Sequence, residues 1–137
     1  MTKEQEYKQK QNGKILIVDD DPDTTLIFKK ALMDEGFKQV DTVNDPLLAL
    51  KNFKAGSYDL LIIDIVMPQM SGRRFADWLH QASPATSVIF VSGYLEESLH
   101  PGERTEPGMF FLPKPFDPEQ LANKVREALD STVARPG

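Results

Sequence analysis

The amino-acid sequence predicts an α/β fold, a doubly wound five-stranded parallel sheet with helices on both faces. Two observations carry this expectation. Ile15-Leu16-Ile17-Val18, Leu60-Leu61-Ile62-Ile63 and Val88-Ile89-Phe90-Val91 are apolar at every position, as strands buried on both faces require. The segments between such runs open on a repeated helix-start signal, Asp-Pro, at Asp21-Pro22, Asp45-Pro46 and Asp117-Pro118. Aspartate caps free amides and proline suits the first helical position. Strands alternating with helices then imply a parallel sheet with right-handed crossovers.

The first strand, Ile15 to Val18, breaks straight into Asp19, Asp20 and Asp21, and a helix starts at Pro22. A second strand near Lys38 to Val43 carries Lys, Gln, Asp and Thr, which suits a sheet edge. Leu47, Leu50 and Phe53 supply the apolar stripe of the next helix, and Phe75, Trp78 and Leu79 supply that of the helix after Gly72. Beyond the strand ending at Val91 comes "YLEESLHPGERTEPG", Tyr94 to Gly108. Its Pro101, Gly102, Pro107 and Gly108 predict a fourth helix that is short or irregular. A strand at Met109 to Leu112 precedes the last helix, where Asp117 and Gln120 have capping-box spacing and Leu121, Val125, Ala128 and Leu129 share one face. Residues 1–13 and 132–137 read as polar tails around a domain of residues 14–131.

Composition narrows the function. A chain of 137 residues, 40% hydrophobic, is suited to one core. The net charge of -5 and pI near 5.0 argue against direct binding to nucleic acid or to an anionic membrane. Cysteine is absent, which excludes thiolate metal sites and cysteine nucleophiles. No apolar run reaches membrane-spanning length and the N-terminus lacks a secretory signal. These features predict a soluble, cytoplasmic protein.

Ligands of open parallel sheets bind at the carboxyl ends of the strands. Asp19 and Asp20 follow the first strand, Asp64 ends the third, Ser92 follows the fourth and Lys114 the fifth. Three carboxylates in one crevice repel unless a cation screens them. A hard divalent ion resolves the conflict, and Mg2+ suits it because it takes one or two carboxylates, keeps several waters and accepts a phosphate oxygen; Mn2+ is a substitute. Asp64 stands alone at the end of "DLLIIDI", beside the turn "MPQMSG". An aspartate there can act as a nucleophile on phosphorus, with Lys114 and Ser92 as donors to the phosphoryl oxygens.

Asp19-Asp20, Asp64 followed by "MP" and a glycine, Ser92, and Lys114 in "KPF" resemble the receiver domain of two-component response regulators (CheY-like). The separations are 44 residues from Asp20 to Asp64 (64 minus 20) and 22 from Ser92 to Lys114 (114 minus 92). The resemblance implies a flavodoxin-like sheet of order 2-1-3-4-5. It implies a phosphoacceptor at Asp64, supplied by a histidine kinase or phosphotransfer protein, with magnesium held by Asp19, Asp20, Asp64 and the Val66 backbone carbonyl. It implies a switch through Ser92 and Phe111, the aromatic residue three before the lysine, where many relatives carry tyrosine. Such a domain is not an enzyme toward outside substrates; it catalyses only its own phosphotransfer and self-dephosphorylation. Val66 and Tyr94 occupy positions flanking the path of the hydrolytic water, and their bulk is expected to slow dephosphorylation. The Lys114-Pro115 bond is often cis in relatives. The stretch up to "MPQMSG" resembles small stand-alone regulators, while "VSGY" and "FLPKPF" resemble receivers of hybrid sensor kinases. The output is a downstream protein target or a missing output domain.

Other readings are weaker. Phosphatases of the haloacid dehalogenase type want a second acid two residues after the nucleophile, where this chain has Val66. Nucleotide binding lacks a glycine-rich first turn or GxxxxGK[ST], and the acidic first loop is a poor cradle for a flavin phosphate. An interaction module without phosphorylation would leave the acids and lysine unexplained. Asp21 reads as a helix cap, Asp23 as a first-turn charge, Met67 and Met70 as loop packing, and His80 and His100 as solvent-facing. The lysines at 3, 8, 10 and 14 read as a solubilising tail.

Overall fold

Aliphatic runs with no polar face must be covered on both sides, and the architecture does this with helices in two layers. The computed structural model describes residues 2, 13–67, 70–92 and 108–134. In chain order these form β1 (Lys14–Val18), α1 (Pro22–Asp34), β2 (Gln39–Val43), α2 (Pro46–Asn52), β3 (Leu60–Asp64), α3 (Gly72–Ala82), β4 (Ser87–Ser92), β5 (Met109–Pro113) and α4 (Pro118–Ala134). The five strands are all parallel, in the order β2-β1-β3-β4-β5. This is the doubly wound, flavodoxin-like order expected, and β2 lies at an edge as its polar composition requires. The segment of the predicted weak helix lies outside the described residues, and the final helix continues through Ala134.

Side chains alternate across each strand, so β1 splits its apolar run between two cores. Ile15 and Ile17 face α1 and α4, where they meet Phe28, Leu32, Leu121, Val125 and Leu129. Leu16 and Val18 face the other layer with Phe75, Leu79 and Phe90. Each fully buried side chain of this size stabilises the fold by about 1.5–3 kcal/mol relative to exposure.

The helix ends are specified locally. Asp21 caps α1 by accepting from the Asp23 amide, and the Thr24 hydroxyl, followed by that amide, holds its carboxyl below the ordinary range. Asp45 accepts from the amides of Leu47 and Leu48. Asp117 and Gln120 form the full reciprocal capping box, at 2.7 and 2.9 Å. At its other end α1 stops at Gly36 (φ 102). There the Gly36 and Phe37 amides return to the Met33 and Leu32 carbonyls in a Schellman pattern that needs the left-handed conformation.

The stripe of α2 differs from the one read in the sequence. Leu47 is 50% exposed, and Pro46 and Ala49 are buried instead, with Leu50 and Phe53 partly buried. Positions 46, 49, 50 and 53 follow the 3.6 period, whereas Leu47 lies off that face. Phe53 is already extended, closing a helix of only seven residues. Trp78 sits at the rim of its layer, edge-on to Phe53 and Phe75 with 5.9 Å between ring centroids in each case.

Candidate functional site

The parallel topology brings Asp19, Asp20, Asp64 and Lys114 together along the carboxyl-terminal edge of the sheet, where the strands end. β1 and β3 are neighbours, with Val18 paired to Ile63, so the residues that follow them emerge side by side. Oxygens of the Asp19, Asp20 and Asp64 carboxylates all lie within 4.8 Å of one another. At that range two ionised carboxylates repel by about 3 kcal/mol at an effective dielectric constant of about 20. Asp19 feels this most, being buried to 3% exposure. Burial, followed by the charges of Asp64 and Asp20, pushes its carboxyl up to about 6, against the opposing effects of the Asp21 amide and Lys114. A cluster of hard oxygens that repel one another and partly lack water fits a small divalent cation such as Mg2+.

Asp64 is half-buried at the end of β3. Its Oδ1 accepts from the Val66 amide at 3.0 Å, and its Oδ2 lies 3.8 Å from Lys114 Nζ. One oxygen is therefore oriented by the backbone while the other faces the ammonium. Lys114 is carried in by β5, whose Pro113 stands opposite Ser92 in the register, and the Lys114-Pro115 peptide is cis.

Gly72 explains the glycine after "MP". Its amide donates to the Ile65 carbonyl at 2.8 Å, and a Cβ built on it would overlap the backbone carbonyl of Asp64. Only glycine lets the first turn of α3 lie against the peptide that positions the acid.

Ser92 ends β4, but its side chain and all of Tyr94 lie outside the described residues. Val66 is 61% exposed beside Asp64. Phe111 is partly buried and stacks on Phe90, with 5.2 Å between centroids and 24° between planes. Phe90 also lies 6.0 Å from the Arg73 guanidinium carbon. Met67 is buried and Met70 partly so, in keeping with loop packing, and His80 is exposed.

Asn44 and Thr25 escaped the sequence reading. The Asn44 amide donates to the Asp19 backbone carbonyl and to Thr25 Oγ1. The signal was available: Asn44 is the polar residue after the second strand, at the same sheet edge as the others.

Comparison with known proteins agrees with this geometry. The family description "Response regulator receiver domain" matches residues 15–126. The chain is 31% identical over 117 residues to the sensor kinase CckA of Brucella abortus, covering 85% of this chain and 12% of that protein. It is 28% identical over 116 residues to the response regulator receiver protein CpdR of the same organism, covering 85% and 96% respectively. The crystal structure of a response regulator receiver protein from Sinorhizobium medicae superposes with a TM-score of 0.75 at 27% identity, covering 88% of this chain and 97% of the other. A sheet of this order, with three acids and a lysine gathered at its edge and a family match across nearly all of its elements, identifies the chain as a member of the response regulator receiver domain family of two-component systems.

Proposed function

We propose that Asp64 is the phosphoacceptor of this receiver domain, in a reaction that requires Mg2+ and takes its phosphoryl group from a phosphohistidine of a kinase or phosphotransfer protein. The observation that carries the reading is the division of labour at Asp64. Lys114 Nζ lies 3.8 Å from one of its oxygens, and the acidic triad clusters within 4.8 Å. Asp19, Asp20 and Asp64, with the Val66 carbonyl, would hold the ion. When bound, Mg2+ supplies positive charge opposite the transferring phosphoryl oxygens.

An Asp64 carboxylate oxygen attacks phosphorus in line. The O–P bond forms as the P–N bond to the imidazole breaks, and the departing nitrogen keeps the electron pair. Lys114 stabilises charge on the phosphoryl oxygens, and the Ser92 hydroxyl donates to one of them. Phe111 then responds through packing against Phe90, since it carries no hydroxyl for a hydrogen bond. The consequence is a changed protein-interaction surface read by a downstream protein or an output domain. The chain acts in this scheme as a signalling domain of the cytoplasm. Among the described residues no helix is long and apolar enough to cross a membrane.

Intact-mass analysis after incubation with acetyl phosphate tests the assignment. One phosphoryl adduct is expected with Mg2+, and none with Asp64→Asn or with chelator. An adduct that survives Asp64→Asn would refute it.

A further inference from the structure

Asn44 stands just beyond β2, exposed, yet both hydrogens of its side-chain amide are used. One goes to the Asp19 carbonyl at 3.0 Å and the other to Thr25 Oγ1 at 2.9 Å. Thr25 is buried to 2% exposure, and its hydroxyl donates onward to the Pro22 carbonyl at 3.0 Å. The backbone ties the same loop from the other side, since the Asp19 amide donates to the Val43 carbonyl at 3.2 Å. The Asp21 amide donates to Asp19 Oδ1 at 3.0 Å. Asp19 is thus held at its amide, its carbonyl and its carboxylate.

We propose that Asn44 is a positioning residue for the divalent-cation site: its amide fixes the Asp19 backbone so that the Asp19 carboxylate stays beside those of Asp20 and Asp64. The physical need is specific. Three like charges in a crevice are driven apart in the absence of a cation, and the loop from Asp19 to Asp21 can relieve that repulsion by swinging outward. A donor that ties the loop to the end of β2 opposes this relaxation, so the acids are already gathered when the ion arrives. Partners that orient metal ligands are commonly worth 10–100-fold in affinity. Thr25 acts one step further out, by anchoring the second hydrogen of the Asn44 amide.

The inference rests on the Mg2+ site proposed above, and calorimetric titration of Mg2+ into the metal-free protein separates the two. Asn44→Ala is expected to raise the magnesium dissociation constant about tenfold. Asn44→Ser, which keeps one donor, is expected to recover part of the loss, and Thr25→Val to give a smaller rise than Asn44→Ala. Thr86→Val removes a buried hydroxyl that donates to the Tyr58 carbonyl, at the opposite end of the strands. It serves as the control, with a lowered urea midpoint and an unchanged dissociation constant. If Asn44→Ala also lowers the urea midpoint while its dissociation constant stays within about twofold of wild type, the amide is structural only and the proposal is overturned. Wild-type protein that takes up no Mg2+ overturns the metal assignment together with this inference, whereas wild-type binding that Asn44→Ala leaves unchanged overturns this inference alone.

Discussion

At the scale of single residues, Asp19 gives the metal-free protein a pH dependence of its own. Its carboxyl sits at about 6 against the ordinary 3.8, chiefly through burial, so the folded chain holds a proton there that the unfolded chain releases. The stabilising contribution is fully present below pH 3.8 and is lost as pH rises through about 6, an effect on the order of 3 kcal/mol. Urea denaturation in chelator should therefore show stability falling across that window, and Asp19→Asn should flatten the fall. An unchanged slope in Asp19→Asn would place the titration elsewhere. Val66 makes a second prediction at this scale. It is exposed beside Asp64, and its bulk is expected to obstruct an attacking water. Val66→Asn combined with Tyr94→Glu should shorten the lifetime of the aspartyl phosphate by about tenfold, ~1.4 kcal/mol of barrier. Decay of the phosphoryl adduct by mass analysis measures it, and an unaltered lifetime would remove both residues from the account of dephosphorylation.

At the scale of elements, the junction between β3 and α3 is the tightest coupling of fold to site. Gly72→Ala forces a Cβ onto the Asp64 carbonyl, where backbone rather than a flexible side chain must yield. Overpacking of this kind costs about 1–3 kcal/mol, and the displaced peptide is the one that orients Asp64. Both a lower urea midpoint and slower phosphorylation are expected; a variant that keeps wild-type values for both would show that the close approach is dispensable. The elements also show what a sequence can reveal. Strands buried on both faces, caps at Asp21, Asp45 and Asp117, and the acids at strand ends were legible because each depends on local chemistry. The buried face of α2 was not, because in seven residues Leu47, Leu48 and Leu50 offer several apolar stripes and only packing selects among them. The place of Asn44 after the second strand was legible, but its partner was not: its hydrogen bond reaches Asp19 across 25 positions of sequence, a contact that only the pairing of β1 with β2 creates. The close approach at Gly72 likewise depends on tertiary placement, although the glycine itself is plain in the sequence.

At the scale of the whole molecule, the parallel sheet gathers at one edge charges that a folded chain would otherwise keep apart. Mg2+ binding to the folded state should therefore raise stability, by about 2.7 kcal/mol at one hundred times its dissociation constant. Thermal unfolding with and without the ion measures this, and Asp20→Asn should reduce the increment; equal melting temperatures with and without saturating Mg2+ would contradict a folded-state site. The two-layer packing encloses the site's scaffold, with β1, β3 and β4 interior in the sheet and their apolar residues almost fully buried. In the proposed reaction Asp64, and none of the neighbouring acids, carries the phosphoryl group. Reduction of the acetyl phosphate-treated protein with borohydride, which converts an aspartyl phosphate to homoserine, followed by peptide sequencing by mass spectrometry, tests it most directly. Homoserine at position 64, and at no other aspartate, is the result this account predicts. Homoserine at position 19, 20 or 21, or none at all in folded protein saturated with Mg2+, would contradict it.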